Sequence, residues 1–228
     1  MERVLNCAAL VGLTLLICFV AEQTSSFIHE IGHLLGGYLA GYRQGFLKLG
    51  WFEITFGEKK QRVTLGESYD WQCVMAPAGN GGKAGLLAHI LGGVILQTVL
   101  GSVCAIPMLS RLAVMIRTDG AGAGAFSMKS PDWGVIAAAY FGILGLRMLG
   151  GAVINLFGSE SCDGATAREV LMTRSGAECA RRIFGISALV ECGSRPTADF
   201  EPGFFTVSEP DSLLACELAE IGGRLGVI

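Results

Sequence analysis

Charge is scarce in this chain: Asp, Glu, Lys and Arg together make up 16% of its 228 residues, against roughly a quarter in ordinary soluble proteins. About half of the residues are apolar and the mean hydropathy is +0.52, so the composition is that of a membrane protein. The net charge of -3 is small and the basic residues are scattered, which excludes a nucleic-acid surface or a long polybasic arm. No CxxC pair occurs among the eight cysteines, and Cys7, Cys18 and Cys104 lie inside apolar runs, so the thiols read as reduced and mostly structural. Histidine is rarer still, with three in the whole chain, and two of those stand four residues apart in FIHEIGHLLGG, residues 27–37.

What is present is a set of long apolar segments. A short charged start (Glu2, Arg3) and the run Val4 to Val20 resemble a signal peptide, but no clean cleavage site follows. The chain continues through Ala21-Glu22-Gln23-Thr24-Ser25-Ser26 to Tyr42 without a proline. About 20 residues cross a bilayer core, so this stretch is expected to make one crossing with a protruding end, although a break at the polar run would split it. Leu86 to Leu109 and Gly134 to Phe157 are the second and third apolar segments. Between the first two, FLKLGWFEITF and QRVTL are rich in β-branched and aromatic residues and flank Gly57-Glu58-Lys59-Lys60, which predicts a hairpin at the membrane surface. The run Gly120 to Ala125 has the composition of a linker. Beyond Gly164 the chain turns polar. An amphipathic helix carrying Arg168, Arg174, Arg181 and Arg182 is expected there, then a proline-bearing stretch (Pro196, Pro202, Pro210) and a short helix from Ser212.

The fold class expected is therefore mainly α and polytopic, with about three transmembrane helices, a short surface β-hairpin and a soluble helical C-terminal tail. Six Lys and Arg lie between Arg43 and Lys83 and six between Arg168 and Arg224, against Arg111, Arg117 and Lys129 between segments two and three. The positive-inside rule then puts the hairpin and tail in the cytoplasm and the N-terminus outside. Glu22 and Arg147 are isolated charges in apolar segments, where such groups are costly and usually paired. Glu22 precedes His29 by seven residues and Arg147 precedes Asn155 by eight, so at about 1.5 Å per residue the two are expected level with each other, as an ion pair.

On a helix, residues i and i+4 project from one face a turn apart, so His29 and His33 are spaced to bind one small cation, with Glu30 beside them. HExxH is the sequence form of a zinc site in which the glutamate takes a proton from the attacking water. The competing reading, two histidines lining a helix by chance, suffers because three polar groups within five residues of an oily run need partners or a cavity. A catalytic zinc normally takes a third protein ligand. His89 stands alone in segment two and reads as a packing or interfacial residue. Asp163, in INLFGSESCDGA (154–165), lies just past a glycine-broken helix end that could fold back toward the first helix. The pairs Gly32/Gly36 and Gly37/Gly41 read as packing positions for a closely approaching neighbour.

HExxH followed on a later apolar segment by Asn155, Asp163 and Gly164 at the spacing N-x7-D-G resembles the site-2 protease family of intramembrane zinc metalloproteases. QCVMAP (72–77), the pair Gly92-Gly93 and the tail around Gly193 to Phe205 are similar to its stand-alone bacterial branch, so the likeness covers most of the chain. Two positions depart from the family pattern: Gly158 where a proline is usual, and Gln97 where relatives often carry asparagine. The resemblance implies that His29, His33 and Asp163 hold Zn2+, that Glu30 is general base and then general acid, and that Asn155 orients substrate or oxyanion. It implies a transmembrane metalloprotease core over residues 1–177 (helices about 4–41, 86–109 and 134–157, hairpin about 46–65) and a cytoplasmic tail over 178–228. The expected activity is hydrolysis of peptide bonds in a membrane-spanning or membrane-associated substrate, in a bacterial cytoplasmic (inner) membrane. An edge of the hairpin is expected to take up unwound substrate as an added strand, and a regulatory partner could act through the tail. The alternative is a catalytically inactive membrane scaffold, which would have no need to keep Glu30 and Asp163. A metal transporter would want polar residues on several helices, and segments two and three offer few.

Overall fold

A computed structural model describes residues 2–57, 61–77, 82–117, 133–158, 162–193, 200–207 and 210–227. Among these the protein is mainly helical: α1 (Glu2–Leu39), the hairpin β1 (Gln44–Phe56) and β2 (Arg62–Ala76), α2 (Lys83–Arg117), α3 (Trp133–Phe157), α4 (Asp163–Met172), α5 (Gly176–Glu191), a 3-10 turn (Pro202–Phe205) and α6 (Leu213–Arg224). Three helices contain segments long and apolar enough to cross a membrane, Cys7–Leu39, Lys83–Ser110 and Ile136–Phe157, the make-up of a multi-pass membrane protein. Large apolar side chains such as Leu15, Phe19, Val103 and Ile106 are exposed on them, as lipid-facing helices require. The turn residues 58–60, the Gly120 to Ala125 run and Pro196 lie outside the described residues.

The chain forms two compact units, Met1–Ser26 with Leu96–Ala152, and Phe27–Ile95 with Val153–Ile228. In the first, the polar run that could have broken α1 is helical because Glu22, Thr24 and Ser25 find partners. Thr24 Oγ1 donates to the Val20 carbonyl (2.8 Å) and shares a hydrogen bond with Tyr140 Oη on α3 (3.1 Å). Gln97 Nε2 on α2 donates to the main-chain carbonyl and the hydroxyl of buried Ser25 (3.2 and 3.1 Å), which accounts for the longer amide at this position. The Glu22 carboxylate accepts from the guanidinium of Arg147 on α3, the ion pair expected from the sequence. Gly101 and Gly145 bring α2 and α3 together: a Cβ at Gly145 would lie 2.6 Å from the Ala105 nitrogen, so only glycine fits.

In the second unit, α1 and α2 cross at glycine. A Cβ on Gly32 would meet the Gly92 carbonyl at 2.4 Å and one on Gly36 the Ala88 carbonyl at 1.9 Å, so the Gly32/Gly36 pair is a close-packing seam. The hairpin is longer than expected. β1 and β2 pair antiparallel from Gln44↔Ala76 to Thr55↔Arg62, with a register shift between Gly50 and Phe52. The expected end near residue 65 is corrected to Ala76, because Trp71 to Met75 pair with Gly45 to Leu49 and bury Cys73, Val74 and Met75. The single amphipathic helix expected after Gly164 is two, α4 and α5, separated at Thr173 to Ser175. Asp211 stitches that corner, accepting from the Arg174 and Ser175 amides (both 2.9 Å) and from Ser175 Oγ (2.7 Å). Ser212 caps α6 and in turn donates to Glu169 on α4 (2.6 Å). Val170, Ile186, Phe205 and Leu218 close an apolar core against Leu86 and Ile90 of α2, each such side chain contributing about 1.5–3 kcal/mol.

Candidate metal centre

His29 and His33 stand one turn apart on α1, and both rings turn toward Asp163, the first residue of α4. Their Nε2 atoms are 3.0 Å apart, and Asp163 Oδ2 lies 3.2 Å from that of His29 and 3.5 Å from that of His33. Glycines allow this convergence. A Cβ on Gly93 of α2 would sit 2.6 Å from the His29 ring and 2.8 Å from His33 Nε2, so the rings rest on bare backbone. A Cβ on Gly164 would lie 1.9 Å from the Leu156 carbonyl, so the start of α4 packs against the last turn of α3. Asp163 reaches the histidines because its neighbour has no side chain. Gly158 serves as the stop: α3 ends at Phe157, and the Gly158 amide makes a last helical bond to the Ile154 carbonyl (2.7 Å).

The tautomer of His33 follows from its partner. Its Nδ1 lies 2.8 Å from the main-chain carbonyl of His89, and a carbonyl only accepts, so Nδ1 carries the proton and Nε2 of the neutral ring presents its lone pair. That lone pair faces the second imidazole and a carboxylate oxygen. Asp163 Oδ2 is buried and accepts no hydrogen bond among the described residues. A ring lone pair and a carboxylate oxygen held this close need a proton or a cation between them. Metal–ligand bonds of about 2.0–2.1 Å at tetrahedral angles put neighbouring donor atoms about 3.3 Å apart. The spacings of 3.0, 3.2 and 3.5 Å bracket that value. The residues present therefore fit a metal ion, and His29, His33 and Asp163 form a group able to hold one.

A cavity of about 920 Å³ opens on this group, lined by Glu30, Asn155, Trp71, Val74 and Phe184 among others. Glu30 is 6% exposed, and the Cys73 main chain of β2 hydrogen-bonds its carboxylate. Asn155 lines the cavity without being one of the three converging ligands. Cys162, the N-cap of α4, also lines it, but its thiol is not among the converging atoms. Burial, reinforced by the Glu30 charge, pushes the Cys73 thiol up, so this nearby sulfur stays protonated. His89 goes beyond the packing role its sequence position implied. It is 2% exposed, its Nδ1 donates to the His33 carbonyl (3.0 Å), and its ring packs edge-on to Tyr42 and Phe184. No sequence spacing carried that signal, because the partner atoms are main-chain carbonyls.

Fold and site together define a multi-pass helical protein with a metal-competent His-His-Asp group facing a cavity. Comparison with protein-family models, curated proteins and solved structures finds no match.

Proposed function

We propose that this protein is an intramembrane zinc endopeptidase. The observation that carries the reading is the convergence of His29, His33 and Asp163 beside a buried carboxylate, Glu30, on the wall of one cavity. Two imidazoles and one carboxylate are the donor set of a catalytic zinc site, with a position left for water or substrate. Bound there, zinc would polarise the scissile carbonyl and make the attacking water more acidic. Glu30 would take the proton from that water at its carboxylate and pass it to the leaving amine. Asn155, on the cavity wall, would orient the substrate carbonyl by donating from its amide. Trp71 to Val74 of β2 line the same cavity, so substrate would be held extended, as a strand added beside β2.

The substrate class is a membrane-spanning or membrane-associated peptide, because the metal-binding histidines lie within a helix apolar enough to cross the bilayer. The experiment is zinc analysis and proteolysis on the detergent-purified chain. Glu30→Gln should keep zinc and lose cleavage of a membrane peptide by at least about 10²-fold. His29→Ala and His33→Ala should lose both. Cleavage by Glu30→Gln at near wild-type rate would sink the mechanism, and failure of the wild type to bind zinc would sink the metal assignment.

A further inference from the structure

Behind His89, away from the metal ligands, polar groups gather at the start of α2 that the peptidase reading does not use. Tyr42, just after α1, is 0% exposed, yet its hydroxyl has no hydrogen-bond partner among the described residues. The oxygen points at the first turn of α2: a Cβ on Gly85 would sit 3.8 Å from it. Arg181 of α5 is the second group. Its Nε is buried without a partner among the described residues, and its charge acts on the Tyr42 phenol, opposing the upward push of burial.

The elements explain why these groups meet. The His89 ring touches Tyr42 and Phe184, at 5.9 and 5.5 Å between ring centroids. Gly85 lies one turn before His89 on α2 and close to the Tyr42 oxygen, and Arg181 lies one turn before Phe184 on α5, near enough for its charge to act on the same phenol. No acidic residue occupies the first turn of α2, and Lys83 begins it. Two neighbouring cations, Arg43 and Arg182, are already engaged. Arg43 donates to the Tyr38 and Tyr42 carbonyls, and Arg182 pairs with Glu178 and donates to the carbonyls of Gly203, Phe204 and Thr206. What remains is a guanidinium edge, a phenolic O–H and the positive end of a long helix, the donor set that recognises an anion with several oxygens.

We propose that Tyr42, Arg181 and the first turn of α2 form a binding site for a phosphate group. Phosphate offers acceptors enough for the O–H and the guanidinium at once, and its charge suits the positive end of α2. The site sits where the membrane-length segment Lys83–Ser110 begins, the level at which the headgroup phosphate of an anionic lipid lies, so lipid and free phosphate are the two sources of the same chemistry.

The test uses the full chain purified in detergent, with inorganic phosphate in one arm and phosphatidylglycerol against phosphatidylcholine in nanodiscs in the other. Saturable binding and a raised melting temperature are expected in at least one arm. Response to phosphatidylglycerol alone assigns the lipid, and response to inorganic phosphate assigns the free anion. Tyr42→Phe keeps the ring and should weaken binding about tenfold, and Arg181→Gln about hundredfold, with Arg181→Lys between wild type and Arg181→Gln. Absence of binding by the wild type in both arms overturns the proposal, and so does Tyr42→Phe binding as the wild type does.

Discussion

His33 and His89 exchange hydrogen bonds across the α1–α2 contact, the Nδ1 of each donating to the main-chain carbonyl of the other at 2.8 and 3.0 Å. The lock fixes the His33 ring so that Nε2 faces His29 and Asp163, and it ties a member of the metal-competent group to His89, 56 positions away and outside that group. His89→Ala should therefore reduce metal affinity by about 10–100-fold, the usual range for loss of a group that orients a ligand. Chelator competition on folded protein measures this. Wild-type affinity in the variant would show that the His33 ring holds its position unaided.

Asp163 and its neighbour Cys162 both line the cavity, but only the carboxylate converges with the imidazoles. Asp163→Asn should empty the site or weaken it by orders of magnitude, since a neutral amide is a poor ligand for a dication, whereas Cys162→Ser should leave occupancy within about twofold. Zinc per chain, measured on both variants, decides. Loss of metal in Cys162→Ser with retention in Asp163→Asn would reassign the ligand.

Gly164 is predicted to be as sensitive as the ligand beside it. Its Cβ position lies 1.9 Å from the Leu156 carbonyl, and backbone cannot step aside as a side-chain tip does. Gly164→Ala should cost about 3 kcal/mol, the upper end for overpacking, or shift α4 and lose metal. Gly150, whose Cβ would meet nothing within 4 Å, is the control, and Gly150→Ala should retain both metal and stability. Equal tolerance at the two positions would contradict the packing.

Much of the site was legible because its signals are local or forced. His29 and His33 declare their geometry through helix periodicity, and an acid eight residues past Asn155, beyond a glycine, has few ways to be satisfied in an apolar chain. The unbroken α1 and the far end of the hairpin were less legible for the same physical reason. The run Glu22 to Ser25 looks like a helix break until Arg147, Tyr140 and Gln97 supply partners from other helices. The stretch Asp70 to Gln72 looks like a loop until Lys48, Leu49 and Gly50 of β1 pair with it. The His33–His89 lock was out of reach, because a bond to a main-chain carbonyl leaves no trace in side-chain pattern.

The corner held by Asp211 gives a prediction in pH. Hydrogen bonds from the Ser175 amide, the Arg174 amide and the Ser175 hydroxyl hold the Asp211 carboxyl down at about 2. Its folded-state value is below the ordinary value of about 3.9, so its contribution is complete above about pH 4 and is lost as pH falls toward 2. Far-UV circular dichroism between pH 5 and pH 2 should show helix lost over that window in the wild type. Asp211→Ala should be less stable than wild type at neutral pH and show a shallower acid dependence, while identical acid profiles would mean the carboxylate does not hold the corner.

Glu22 and Arg147 make the last prediction, because their pairing depends on where they sit. Two charges on separate apolar helices, α1 and α3, meet through the carboxylate and the guanidinium. Both side chains remain partly exposed, at 41% and 45%, on helices of membrane-crossing length, so removing one partner would leave the other facing lipid or a neighbouring helix. Glu22→Arg places two cations together and Arg147→Glu two anions, and each should cut the folded yield in the membrane several-fold. The double swap restores opposite charges at the same contact, with the longer side chain moved from α3 to α1. It should recover most of the yield, a coupling measurable as a double-mutant cycle on detergent-purified protein. Additive losses in the double variant would show that α1 and α3 are held together without this pair.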